Sequence, residues 1–233
     1  MNFTPDGPAA IPLWINGHAF LTVTEKFFDV VDATSGQAVR RVPLSGADEA
    51  AIAVAAAVAA APAWSALGGG ERRALLAALA TSLDGYAGHF AKLIGQETGK
   101  PEAAAIAEVQ AAVAALTDAP PGTAGVLVAL ADAGNPLAAL VELIAPALAA
   151  GGTVVVKPSP KAPGAAYALC ELSARAGWPA GVLNLIQGDE AAVEGLCAQA
   201  AVSRVAYGGD AALGTRIAAI AARHGRTFVG GPA

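Results

Sequence analysis

The stretch "TVVVKPSPKAPG", Thr153 to Gly164, decides the fold. Three consecutive valines with no polar alternation read as a strand buried on both faces, because a half-exposed strand would alternate apolar with polar. Pro158, Pro160 and Pro163 follow within six residues. They stop the strand, and the last of them sits where a helix can begin, since proline at a helix start loses no hydrogen bond. Lys157 lies between strand and prolines, either as a ligand-binding lysine or as the charged tip where the strand meets water; spacing alone favours the tip.

The same unit recurs outward from this stretch. Strands are expected at Gly125–Leu130, Thr153–Val156, Val182–Ile186, Arg204–Tyr207 and Thr227–Val229. Helices are expected between them at Leu137–Ala149, Pro163–Ala176, Glu190–Gln199 and Ala211–Arg223. Non-alternating strands each followed by a helix imply an open, doubly wound α/β fold with a parallel, Rossmann-like sheet. Such a sheet takes ligands at its carboxyl edge. This α/β core spans residues 123–233. Residues 1–117 supply short N-terminal strands and helices, and the chain reads as a single domain over 1–233.

In that N-terminal part, Asn16-Gly17 in "LWINGHAF" is a hairpin signal, and "FFDVVDATSGQAV" alternates before a turn. Helices follow at Ala47–Ala61, ended by Pro62, then at Gly70–Ile94 and Glu102–Leu116. Leu75, Leu76, Leu79, Leu83 and Tyr86 keep a helical period and imply one packed face. "DAPPG", Asp118–Gly122, is the clearest break.

Composition narrows the partners. Fourteen basic and nineteen acidic residues leave a net charge of -5 without any Lys/Arg cluster, which argues against nucleic acid. Mean hydropathy is +0.52, yet much of it is alanine. The apolar run Pro136–Ala150 is broken by Glu142 and falls short of the roughly 20 residues that span a bilayer, so no membrane is expected. The start of the chain carries neither a basic segment nor an apolar core of a signal peptide. Cys170 and Cys197 show no metal or disulfide spacing, and a reducing, cytoplasmic setting is expected. His18, His89 and His224 have no ligand spacing, so no metal site is expected. Glu190 and Glu194 read as a solvated helix face.

"LIAPALAAGGTVVVKPSPKAP", "AGWPAGVLNLIQG" and "VSRVAYGGDAALGTRIAAIAA" stand in an order and spacing that resemble the NAD(P)-dependent aldehyde dehydrogenases, and "LWINGHAF" and "ETGKP" look like the family's N-terminal part. The resemblance runs from Leu13 to Gly231 and covers the NAD-binding half of a full-length member. It implies NAD or NADP as cofactor, with Lys157 on the adenosine ribose and Ser159, Gly188, Gly209, Asp210 and Gly214 as further cofactor-binding positions.

Several positions depart from the family's pattern. Its nucleophilic cysteine belongs to a segment beyond this stretch, and Cys170 and Cys197 fall instead on cofactor-domain helices. Its general-base glutamate falls on Phe228 in "TFVGG", and a phenyl ring accepts no proton. Its oxyanion asparagine falls on Gly134 without a gap, or on Asn135 after a shift of one residue. "TDAPPGTA" stands where the family inserts a two-stranded flap that joins subunits. Pro160 replaces a ribose-holding glutamate. Asp210 replaces a serine at a helix start, where its carboxylate both caps the helix and opposes a phosphate.

The residues therefore lead to an expectation of weak NAD(P) binding or none, and of no catalytic residue beyond Asn135 as a remnant. The expected role is a non-catalytic structural or regulatory subunit. It would form a homodimer, or a heteromer with a full-length aldehyde dehydrogenase, through helix 211–223 and its apolar stripe Leu213, Ile217, Ile220 and Ala221. Two alternatives stay open: the NAD-binding half of a split dehydrogenase with a separate catalytic chain, and a small-molecule sensor using the vacated cleft.

Overall fold

The structure, a computed structural model, describes residues 7–232; Met1–Asp6 and Ala233, which the sequence reading included in its domain, lie outside the described residues. Four short strands open the chain: β1 (Leu13–Ile15), β2 (His18–Phe20), β3 (Phe27–Val31) and β4 (Ala38–Pro43). Helices α1 (Ala47–Ala66), α2 (Gly69–Gly85), α3 (Ala87–Thr98) and α4 (Glu102–Thr117) follow. The alternating part is β5 (Val126–Ala131), α5 (Ala138–Ala149), β6 (Thr153–Lys157), α6 (Gly164–Arg175), β7 (Leu183–Leu185), α7 (Glu190–Ala198), β8 (Val202–Gly209), α8 (Ala211–Arg223) and β9 (Thr227–Pro232).

The main sheet has the order β2-β1-β7-β6-β5-β8-β9. The five strands from β7 to β9 are parallel, with Leu130 beside Lys157 and Tyr207 at the carboxyl edge. The β1–β2 hairpin adds an antiparallel margin through Trp14 and Leu185. Asn16 and Gly17 turn it at φ 55° and 79°, as the Asn-Gly signal predicts. The sheet is thus mixed, while its core is the expected doubly wound one.

Both faces of β5 are buried. Leu127, Ala129 and Ala131 join the core formed with α2 to α6, and Val126, Val128 and Leu130 join the core beneath α1, α7 and α8. The missing alternation in the sequence has this cause: each strand residue finds a helix on its own side.

Three sequence readings are corrected. Pro62 does not end α1, which runs on to Ala66. Trp64 anchors the last turn: it is fully buried, stacks on Trp178 at 5.7 Å and donates its Nε1–H to Leu148 O at 3.1 Å, while Pro62 stays exposed. The expected helix Gly70–Ile94 is two helices that meet at Tyr86. Leu83, Phe90 and Ile94 face the same core, so their spacing of seven and four hides the break, and Tyr86 itself is exposed. Finally, α1 is long and apolar enough to cross a membrane by length and composition, which the reading of Pro136–Ala150 missed. Its Ala50, Ala53, Val54 and Ala57 pack on the sheet and α7, and Thr153 Oγ1 donates to Ala57 O at 2.9 Å.

Residues 118–125 join α4 to β5 without a strand. The two cysteines are buried, and burial pushes both thiols up, Cys197 to about 11. Such thiols stay protonated and pack as small apolar groups.

Candidate functional site

A cavity of about 150 Å³ opens at the carboxyl ends of β5, β6 and β8, between α7 and α8. The position follows from topology. Parallel strands all release their chains at this edge, and around the central β5 the α5 crossover from β5 to β6 covers one face while the α7 crossover from β7 to β8 covers the other. Val193 of α7 and Leu213, Ile217 and Ile220 of α8 form the apolar walls. Lys157, Ser159 and Pro160 come from the end of β6, and Asp132, Asp189, Tyr207 and Arg216 complete the polar part.

Lys157 is not a strand tip in water. It is 6% exposed, and its Nζ donates to the carbonyl oxygens of Gly188 at 2.7 Å and Pro158 at 3.0 Å. Burial lowers its pKa to about 8, opposed by the nearby Asp189 carboxylate. The lysine is thus a buried cation at the cavity wall, held by backbone dipoles. Ser159 lines the same cavity, and its Oγ accepts the Lys161 N–H at 3.3 Å. Gly188 contributes its carbonyl to Lys157 rather than a surface to the cavity.

Asp210, Gly209 and Gly214 line a second cavity of about 310 Å³, on the other side of Tyr207, with Thr215 and Phe228. Asp210 caps α8 as its position implied: its Oδ1 accepts the Leu213 N–H at 2.9 Å. Its own N–H donates to Asp132 Oδ2 at 2.7 Å. Two donors at the start of α8 are therefore spent on carboxylates of the chain itself. Gly209 must be glycine, because its φ is +146° and a Cβ there would stand 2.4 Å from the Asp132 carboxylate. Gly214 packs against the Tyr207 ring.

Asn135 is not brought to these cavities. Lys100 Nζ donates to its Oδ1 at 2.7 Å and pairs with the buried Glu108 at 2.5 Å, and Glu108 accepts the Leu137 N–H at 2.9 Å at the start of α5. Glu190 and Glu194 are more than a solvated face. Glu190 pairs with Arg216 at 2.5 Å across the mouth of the first cavity, and Glu194 pairs with Arg223 and, at 2.7 Å, with His224. These pairs tie α7 to α8. The apolar stripe expected to meet a partner turns inward: Ile217, Ile220 and Ala221 are buried on the sheet, with Leu213 packed beside them.

The sequence reading missed Asp132, Asp189 and Tyr207. Tyr207 is 3% exposed, and its hydroxyl has no hydrogen-bond partner among the described residues. Burial, with Asp132 and Asp210 beside it, pushes its pKa up to about 12. The apolar run "VAY" ending at a Gly-Gly turn was the available signal, since a strand-end tyrosine at the carboxyl edge faces the ligand side.

Comparison with known proteins agrees with this architecture. The family model described as "Aldehyde dehydrogenase family" matches residues 20–121 and 119–229. The succinate-semialdehyde dehydrogenase [NADP(+)] GabD of Escherichia coli is 32% identical over 227 residues, which cover 87% of this chain and 47% of that protein. The N-succinylglutamate 5-semialdehyde dehydrogenase of Klebsiella pneumoniae is 33% identical, over 87% of this chain and 45% of that protein. Lactaldehyde dehydrogenase from Escherichia coli superposes with a TM-score of 0.90 at 27% identity, over 96% of this chain and 52% of that chain. A P. syringae indole-3-acetaldehyde dehydrogenase solved in complex with NAD+ superposes with a TM-score of 0.87 at 25% identity, over 94% of this chain and 50% of that one. The chain spans about half the length of the relatives it matches. With the doubly wound sheet, the motif order and the cavity at its carboxyl edge in agreement, the chain belongs to the aldehyde dehydrogenase family and corresponds to its NAD-binding half.

Proposed function

We propose that this chain acts as a structural or regulatory subunit built on the cofactor domain of the family, and that its own side chains perform no aldehyde oxidation. The observation that carries the reading is the pairing of Phe228, at the base position implied by resemblance, with the carboxylates of Asp210 and Asp132 that occupy the start of α8. A carboxylate about 4 Å from a phosphate opposes it by up to about 4 kcal/mol where the effective dielectric is near 20. That is a loss of about a thousandfold in affinity.

In this reading the chain forms a homodimer or joins a full-length aldehyde dehydrogenase in a cytoplasmic assembly, without nucleic acid or membrane. The contact on α8 falls on its exposed side, Ala212, Thr215, Ala219 and Ala222, because the apolar stripe is used within the chain. Light scattering after size exclusion and a pulldown against the cell's dehydrogenases test it. A monomer that captures no dehydrogenase overturns the reading, as does aldehyde oxidation by the purified chain with NAD(P).

A second reading, an NAD-binding half that works with a separate catalytic chain, is favoured by one observation: Lys157 stands buried at the wall of an apolar slot. Relatives named for NADP(+) and solved with NAD+ lend it support. It requires micromolar NAD binding by calorimetry, weakened in Lys157→Ala. Absence of binding at millimolar NAD excludes it.

A further inference from the structure

Helix α1 is apolar on both of its sides. The inner side, Ala50, Ala53, Val54 and Ala57, is buried on the sheet and α7. The outer side of a surface helix ordinarily carries charge. Here the sequence from Ala50 to Ala66 holds no charged residue, and Ile52, Ala55, Ala59, Ala63 and Ala66 recur at helical spacing along the exposed side. Ile52 is 44% exposed, and Val58 at the margin of this stripe 43%. Leu21, 82% exposed, and Val23, wholly exposed, stand beside the first turn, where Thr22 Oγ1 donates to Glu49 Oε1. Contiguous apolar surface of this kind marks a contact with another molecule.

Charge at the two ends of the stripe says which molecule. Asp48 opens it, one turn before Ile52. Arg72 closes it: its guanidinium donates to the Ser65 carbonyl at 3.2 Å and to the Leu67 carbonyl at the end of α1. Arg73, next in the chain, is exposed. Neither Asp48 nor Arg73 has an ion-pair partner among the described residues. Two antiparallel copies of α1 bring the acidic end of each to the basic end of the other, whereas a parallel pair sets like ends together. The alanines let the two axes approach to about 8 Å. A lipid surface, by contrast, is drawn by a basic rim, and this stripe begins on an aspartate in a chain of net charge -5.

We propose that the outer face of α1 is a self-association surface, on which a second copy of this chain packs its own α1 antiparallel. The two-fold axis passes between Ala55 and Ala59, and Asp48 of each copy faces Arg72 and Arg73 of the other. The inference rests on the assembly part of the proposed function and gives it a surface apart from α8, with α7 packed against both helices. The stripe from Asp48 to Ala66 is about 27 Å long, and a helix about 10 Å wide then offers roughly 300 Å² per copy. Leu21 and Val23 add to that area. The sum falls below the roughly 800 Å² per partner of a tight complex, so the dimer is a micromolar one.

The test is sedimentation velocity of the purified full chain from about 1 to about 500 µM, the range that a weak interface of this area requires. The expected result is a monomer–dimer equilibrium with its midpoint in that range. Ala55→Glu keeps a good helix former at an exposed position and sets two carboxylates near the axis. Its dimer should weaken at least about tenfold while circular dichroism and melting temperature hold. Both native cysteines are buried, so introduced surface cysteines report orientation. Ile52→Cys mixed with Ala63→Cys should be joined by a short bis-maleimide, and neither variant should be joined to itself.

A monomer throughout the range overturns the proposal, as does a dimer that Ala55→Glu leaves intact. Cross-linking of each cysteine variant to itself, with none in the mixture, reveals a parallel pair and overturns it too. So does cosedimentation with phosphatidylcholine–phosphatidylglycerol vesicles in place of dimerisation, which makes a membrane the occupant. Ala219→Glu, on the exposed side of α8, should leave self-association unchanged. If Ala219→Glu abolishes the dimer and Ala55→Glu does not, the self-contact lies on α8, and this inference falls while the proposed function stands. A chain that dimerises through α1 but oxidises aldehydes with NAD(P) does the reverse.

Discussion

Replacing Glu97 by glutamine should flatten the dependence of stability on pH. Glu97, near the end of α3, is 8% exposed and accepts the Gly164 N–H at 2.9 Å at the start of α6. Burial raises its pKa to about 7, and the Gly164 N–H and the Arg40 guanidinium on β4 offset only part of that. Asp29 and Lys161 line the same cleft. A carboxyl raised on folding binds its proton more tightly in the folded state than in the unfolded one. Its stabilising contribution is therefore complete below the unfolded value of 4.5 and is lost as pH rises through about 7. At about 1.36 kcal/mol per tenfold change in proton affinity, the full loss is about 3 kcal/mol. Most of it, about 2.5 kcal/mol, falls between pH values of about 5 and 8. Urea unfolding of wild type and Glu97→Gln across that window should show wild type losing this much stability relative to the variant. Glutamine can still accept the Gly164 N–H, so the helix start keeps its partner. Parallel pH profiles for the two proteins would falsify the argument that burial dominates at this carboxyl.

Lys157→Met should remove an opposite slope. Its folded pKa of about 8 lies below the ordinary 10.5, so wild-type stability should rise by about 3 kcal/mol as pH climbs through that interval, and the variant should lack the rise in thermal melts. Trp64→Ala should cost about 3–5 kcal/mol in urea unfolding, since it empties a fully buried site and breaks the stack on Trp178. Glu108→Ala should cost about 3 kcal/mol, because it strips the Leu137 and Ala138 N–H groups and Lys100 of their shared partner. Gly209→Ala should cost at least about 2 kcal/mol by calorimetry, as a side chain at φ +146° must push the Asp132 carboxylate aside.

The readings that survived rest on local chemistry. "TVVVKP" had to be a doubly buried strand with a sharp stop, and Asn16-Gly17 had to be a tight hairpin. Asp210 after two glycines had to cap a helix, whatever lay around it. The failures have physical causes as well. Proline predicts the end of a helix only while packing is silent, and Trp64 wedged against Trp178 and Leu148 outweighs the hydrogen bond that Pro62 removes. The kink at Tyr86 leaves the seven-residue step from Leu83 to Phe90 unchanged, so periodicity cannot register it.

By itself the sequence determined the order of strands and helices and the carboxyl edge as the place for a site. Those are properties of periodicity, capping and side-chain type, which act within a few residues. The tertiary structure decided the character of Lys157, the inward turn of the α8 stripe, and the company of Tyr207, Asp132 and Asp189 around one cavity. These residues come from β5, β6, β8 and the loop before α7, and only parallel crossovers bring their ends to one edge. Burial and mutual charge, which set what that edge can bind, exist only after the crossovers have closed.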